Sequence, residues 1–173
     1  LDKKYLKYYV GLNSKSIDFV REWGRCLAKV TGNSNAYRPK WDKFNKRWFV
    51  RASNVLLWMM LTIAREDPYF IYSILDKYPE YACRGWFDAE GSVSTSERRI
   101  IGVNTDLRQI TLFQDLLNKC GIKSKYYSRF DEGEEFISPY SGKVSRRKRT
   151  NYILAIYSKE DRLKFAEQVS FTI

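Results

Sequence analysis

The feature that most constrains this chain is an internal repeat. Val10-Gly11-Leu12-Asn13-Ser14 returns as Ile101-Gly102-Val103-Asn104-Thr105, and the residues after each copy share a pattern as well. Each copy closes a β-rich stretch at its Asn, offers Ser14 or Thr105 as a cap, and leads into an apolar stripe with helical spacing. The first stripe is Phe19, Val20, Trp23, Leu27 and Val30, stopping near Gly32; the second is Ile110, Phe113, Leu117 and Cys120, stopping at Gly121. A glycine just past the last periodic residue is the expected left-handed helix terminator. Two strands and a capped helix then follow in each copy. The strands are expected at 35–40 and 47–52, then at 123–129 and 152–157, with caps at Ser53-Asn54 and at Ser158-Lys159-Glu160-Asp161. Such a duplication predicts an α+β protein of two related halves. Between the copies, Asp67-Pro68 opens a short helix to about Leu75, and Pro79 opens another to about Glu90.

Charge narrows the partner. With 31 Lys+Arg against 20 Asp+Glu the formal net charge is +11, and basic residues near phosphates gain by releasing condensed counterions. A chain that is 44% apolar and 16% aromatic carries too much core material to be a disordered basic tail. The longest apolar run, Val55 to Ile63 interrupted by Thr62, is far shorter than the roughly 20 residues that span a bilayer. A monomer that binds nucleic acid and not membrane is expected, in an intracellular setting. Cys26, Cys83 and Cys120 are odd in number and set in apolar patterns, which reads as reduced interior thiols without a Cys-built zinc site. The absence of any His excludes Ser-His-Asp and Cys-His catalysis and nucleases with a histidine base. Any chemistry falls to carboxylates, lysines, amides or a metal.

The segment with the clearest chemical content is Cys83-Arg84-Gly85-Trp86-Phe87-Asp88-Ala89-Glu90-Gly91. Gly85 and Ala89 stand four apart, so they form a small-residue face that another helix can approach closely. Asp88 and Glu90 sit at the C-terminal end, where the helix dipole favours cations, and a divalent cation with oxygen ligands would compensate them. Solvated acids before an ordinary glycine cap give the same string.

These residues resemble the second signature of the LAGLIDADG homing endonucleases in its F-D-A-E-G form, and the duplicated strand and helix pattern extends the resemblance over nearly the whole chain. The resemblance implies two pseudo-symmetric αββαββα halves, with antiparallel sheets forming a DNA-binding saddle. The halves would be 1–78, lacking its signature helix, and 79–173. It also implies Mg²⁺ or Mn²⁺ bound by Glu90 beside the Ala89 carbonyl, Gly85 and Ala89 in the helix interface, and a structural role for Asp88. The 91-residue offset from Asn13 to Asn104 puts a partner acid just upstream of Leu1, so a first signature helix is expected outside this chain.

Asn13 and Asn104 would stand near the metal-bound water, although the same positions suit strand-end or capping asparagines. Lys15 is a loose match to a charge stabiliser. DNA contacts are expected from Arg38 and Lys40, from the alternating Lys123, Lys125, Tyr127 and Arg129, and from the run Arg146-Arg147-Lys148-Arg149 in a polar connection. Trp41, Phe44 and Trp48 are read mainly as core residues. The expected activity is site-specific, metal-dependent hydrolysis of double-stranded DNA by an intron- or intein-associated endonuclease. An RNA-binding maturase acting on intron RNA, and an inactive DNA-binding protein on the same fold, are the alternatives.

Overall fold

The computed structural model describes residues 8–138 and 142–172 of the 173, so Pro139-Tyr140-Ser141 lies outside the described residues. The chain forms two compact units, one ending at Asp67 and one spanning Pro68–Thr172. Tyr72 and Leu75 pack on the core of the second unit, which puts the contact boundary at 67/68 where the sequence division falls at 78/79. Among the described residues no helix is long and apolar enough to cross a membrane.

The first unit runs β1 (Tyr9–Ser14), α1 (Ile17–Val30), β2 (Lys40–Asp42), β3 (Arg47–Ser53) and α2 (Val55–Glu66). Its sheet is antiparallel with order β1-β3-β2. The expected strand over 35–40 begins only at Lys40, because Tyr37 instead lies against α1: a Cβ on Gly24 would stand 2.3 Å from the Tyr37 carbonyl oxygen. Val10, Val20, Leu27, Ala28, Val50 and Ala52 are buried. Nothing in α2 is buried, and Leu56 is 79% exposed. Trp41 and Phe44 are exposed as well, contrary to the core reading, because β2 is an edge strand and Phe44 lies in the β2–β3 turn.

The second unit opens with a 3₁₀ turn (Pro68–Ile71) and α3 (Tyr72–Leu75), where one continuous helix was expected. It continues with α4 (Pro79–Glu90), β4 (Gly91–Ser94), β5 (Arg99–Asn104), α5 (Leu107–Lys119) and β6 (Lys125–Phe130). A hairpin follows, β7 (Glu135–Ile137) and β8 (Val144–Arg146), then β9 (Asn151–Ile156), α6 (Lys159–Lys164) and a π-helical turn (Phe165–Val169). The main sheet is antiparallel in the order β4-β5-β9-β6, and the hairpin stands apart as a two-stranded sheet. Cys83, Trp86 and Phe87 of α4 enter a core with Ile110, Leu116, Leu154, Ile156 and Phe165. Gly102 is bare for a reason: a Cβ there would lie 2.2 Å from the Trp86 ring, which stacks on Phe113 at 4.8 Å.

Both glycine stops hold. Gly32 and Gly121 have φ of +71° and +68°, and the amide after each closes back on the helix, Asn33 to Ala28 and Ile122 to Leu117. The starts lie beyond the repeated segments, by two residues at Ser16 and by one at Asp106, which cap the helices in place of Ser14 and Thr105, while Ser14 Oγ and Asn104 Oδ1 accept the Ser16 and Asp106 amides at 3.2 and 2.8 Å.

This pairing corrects the equivalence of Asn13 with Asn104. Ser14 faces Trp48 six residues before the cap Asn54, and Asn104 faces Tyr152 six residues before the cap Ser158. Ser14 is therefore the counterpart of Asn104, and Asn13 points to the other side of its sheet, because one residue of slip exchanges the faces of a strand. Of the three thiols expected in the interior, Cys26 departs from expectation. Cys26 is exposed, Cys120 half-buried and Cys83 buried; burial and then the neighbouring Cys120 push the Cys83 thiol far up.

Candidate functional site: an acidic helix end and basic sheet faces

Pro79 starts α4 at a position where its missing N–H costs nothing. Three faces follow from the helical period. Cys83, Trp86 and Phe87 turn inward. Arg84 and Asp88 hold the chain end: Arg84 donates to the Val169 carbonyl, and Asp88 accepts the Thr172 amide at 2.8 Å. Tyr81, Gly85 and Ala89 remain exposed, and a Cβ added at Gly85 would meet nothing within 4 Å.

Glu90 ends the helix. Much of the residue meets solvent, yet desolvation of its carboxyl raises its pKa above the ordinary carboxylate value. Among the described residues it has no hydrogen-bond or ion-pair partner. Gly91 leaves the helix in extended conformation, with φ −92° and ψ 158°, so it is no left-handed cap; a Cβ there would strike the Phe87 carbonyl at 2.3 Å. Gly91 pairs with Gly102, which sets Glu90 and Asn104 at the same end of the β4–β5 ladder. The Asn104 amide is fixed on both sides, accepting the Asp106 N–H and donating to Gln109 Oε1 at 3.3 Å.

A single carboxylate without a cation partner is an oxygen donor of the kind Mg²⁺ or Mn²⁺ takes. No group of three His, Cys, Asp or Glu side chains able to hold a metal occurs among the described residues. The residues present fit part of a divalent-cation site.

The basic residues gather on the sheet faces away from the helices. In the first unit Arg38 and Lys40 line a cavity of about 300 Å³ with Tyr9, Tyr37, Phe49 and Arg51. Arg51 lies 4.8 Å from the Tyr9 ring centre and 5.5 Å from that of Phe49. Asn13 lines the adjoining hollow with Gly11 and Asp42. In the second unit Lys125 and Tyr127 share a face with Arg99, whose guanidinium lies 5.9 Å from the ring centres of both Tyr127 and Tyr157 and donates to both hydroxyls. Lys123 stands before the strand, its amide bound to Asp161 at 2.9 Å, and a bulge between Ser128 and Phe130 takes Arg129 out of the alternation. Sequence reasoning passed over Arg51 and Arg99; their alternation with the apolar Val50 and Ala52 in β3 and Ile100 in β5 was the available signal. Arg146 to Arg149 prove to leave the β7–β8 hairpin, and not a shapeless connection.

The family profile described as a LAGLIDADG-like domain matches residues 82–170. This chain belongs to that family. Two proteins of Methanocaldococcus jannaschii are similar in sequence. One, the uncharacterized protein MJ0398, is 31% identical over 171 residues, covering 99% of this chain and 60% of that protein. The other, a DNA polymerase, is 31% identical over 136 residues, covering 74% of this chain and 8% of that protein. The chain thus spans about 60% of the length of the first relative and a small fraction of the second. Among solved structures, the homing endonuclease I-DmoI in complex with DNA and Ca has a TM-score of 0.65 at 17% identity, covering 98% of this chain and 78% of that one. The N-terminal LAGLIDADG domain of DUF199/WhiA gives 0.55 at 14% identity, covering 99% and 75%. At these identities the structural likeness establishes the fold: mixed helices and antiparallel sheets of the LAGLIDADG type.

Proposed function

We propose that this chain is the DNA-binding and cutting part of a site-specific endonuclease acting on double-stranded DNA with Mg²⁺ or Mn²⁺. The observation that carries the reading is Glu90: a partly desolvated, partnerless carboxylate at the end of the family's signature helix. Glu90 and the Ala89 carbonyl would hold the ion, which when bound supplies Lewis acidity to an attacking water and to the departing oxygen of the phosphodiester. The sheet-face cations, including Arg38, Lys40, Lys125 and the added Arg51, would bind phosphates and bases. Asn104, held by Asp106 and Gln109, would present its amide at the same end of the sheet, and Asp88 would keep its structural bond to Thr172. The exposed Gly85 and Ala89 face would receive the helix of the first signature. A match confined to 8% of a DNA polymerase is what an endonuclease module carried inside a host protein would give.

The scarcity of acids favours one other reading. With no group of three metal-type side chains among the described residues, a DNA-binding protein that does not cut uses the same basic faces. Glu90→Gln decides between them, in the full-length protein with selected duplex targets and Mg²⁺ or Mn²⁺. The nuclease reading expects cleavage by the parent that EDTA stops, and loss of cleavage in Glu90→Gln with binding held within a few-fold. No cutting by the parent on any selected target would leave the binding reading.

A further inference from the structure

The hairpin that no sequence pattern announced builds a site of its own. Beyond β8, Arg147, Lys148 and Arg149 turn back toward the end of β5, and with Thr105, Phe136 and Asn151 they line a cavity of about 300 Å³. Arg146, also on the rim, is neutralised by Glu135 at 2.8 Å, and Asp106 beside Thr105 is engaged by Arg108 at 2.8 Å. Arg147, Lys148 and Arg149 have no ion-pair partner among the described residues. Arg147 is held in advance: its guanidinium carbon lies 3.7 Å from the Phe130 ring centre and 4.6 Å from that of Phe136, and its buried Nε has no hydrogen-bond partner. A cation fixed between two rings loses little rotamer freedom on binding, and a planar guanidinium suits a phosphate's oxygens. The ribbon is pinned where it leaves the sheet, since Gly133 donates to the Arg147 carbonyl and the Arg147 amide to that of Glu134.

We propose that this cavity is a phosphate-binding clamp that takes one backbone phosphodiester of the bound DNA. Its three free cations supply the charge, and the Thr105 hydroxyl and Asn151 amide supply neutral donors. Because Thr105 directly follows Asn104, a phosphate seated here fixes the DNA at the end of the sheet that carries Glu90. The inference rests on the DNA-binding reading above and is independent of whether the chain cuts.

The test uses inorganic phosphate and a random-sequence duplex with the full chain. Titration of phosphate at low ionic strength, followed by nitrogen–proton NMR, should give saturable shifts at the Thr105 and Asn151 amides and the Arg147 Nε–H. In Lys148→Gln/Arg149→Gln those shifts should need at least tenfold more phosphate. The same variant should lower the slope of log K against log salt on the duplex by about 0.9, the value for one phosphate no longer neutralised. Arg65→Gln, which removes a cation from α2, should leave both readings unchanged. Shifts scattered over all basic residues, or an unaltered slope in the double variant, would overturn the clamp and leave the nuclease reading standing. A normal phosphate titration in a protein that cuts nothing would overturn the nuclease reading and leave the clamp.

Discussion

Among the described residues the two units share one sequence of elements and differ in what flanks it. In both, a strand leads through a glycine-terminated helix to two more strands of the same sheet and a capped final helix. The second unit adds α4 and β4 ahead of that sequence, and α4 alone puts Cys83, Trp86 and Phe87 into the core. Phe87 meets Trp86, Phe165 and Phe171 edge-on at 5.0, 4.9 and 6.5 Å, so the final helical segment is covered by the helix that precedes the sheet. In the first unit, whose described residues begin just before β1, the final helix α2 buries no side chain and its joined core cluster is Val10, Leu27 and Ala52. A half of this fold gains its packing from the element before its first repeated strand. A far larger cluster in the second unit implies greater local stability, since burial of apolar area sets the main favourable contribution.

The sharpest challenge to that comparison is Phe87→Ala, which should cost about 3–5 kcal/mol in chemical denaturation by opening a cavity among aromatic rings. A loss under 1 kcal/mol would mean that α4 does not complete the second core. Gly102→Ala comes next, at about 1–3 kcal/mol, because the Trp86 ring has to yield to the new methyl. Hydrogen exchange should then rank β9 amides as more protected than β3 amides; equal protection would erase the contrast between the units.

Asp161 sharpens the comparison through pH. It accepts from Ser158 Oγ and from the Lys123 amide, bonds that hold its carboxyl below the usual range. A depressed carboxylate contributes stability that is present above its unfolded value of about 4 and is lost as pH falls through the lower folded value. Acid melting between pH 5 and 2 should therefore weaken the parent more than Asp161→Asn; parallel profiles would dismiss the role. Smallest of all, Leu56→Lys on the exposed face of α2 should change stability by no more than about 0.5 kcal/mol. A larger loss in a longer form of the protein would show that another element covers α2 there.

Much of this was legible before any coordinates. Gly32 and Gly121 announced both helix ends because a positive φ leaves few alternatives to glycine, and Pro79 announced α4 because its ring presets the first turn. Glu90 was legible as a helix-end acid, though its lack of a partner was not, since that depends on what the fold leaves out of reach. The one-residue register of Asn13 escaped because V-G-L-N and I-G-V-N align as letters, while sheet pairing and helix onset align Ser14 with Asn104. The hairpin escaped because its strands are only three residues each and too polar to show a period. Cys26 and Phe44 escaped because an apolar residue type fixes a preference for burial and not its fulfilment.

The same hairpin shows how the two copies have diverged. The caps Ser16 and Asp106 are 90 residues apart and the caps Asn54 and Ser158 are 104 apart, so 14 extra residues lie between them in the second copy, the stretch that contains the ribbon. An excursion tied to the sheet at its two ends adds little closure cost as it lengthens. Among the described residues it contributes no buried apolar side chain to the core. Changes in the length and charge of this arm are therefore expected to leave the duplicated scaffold untouched.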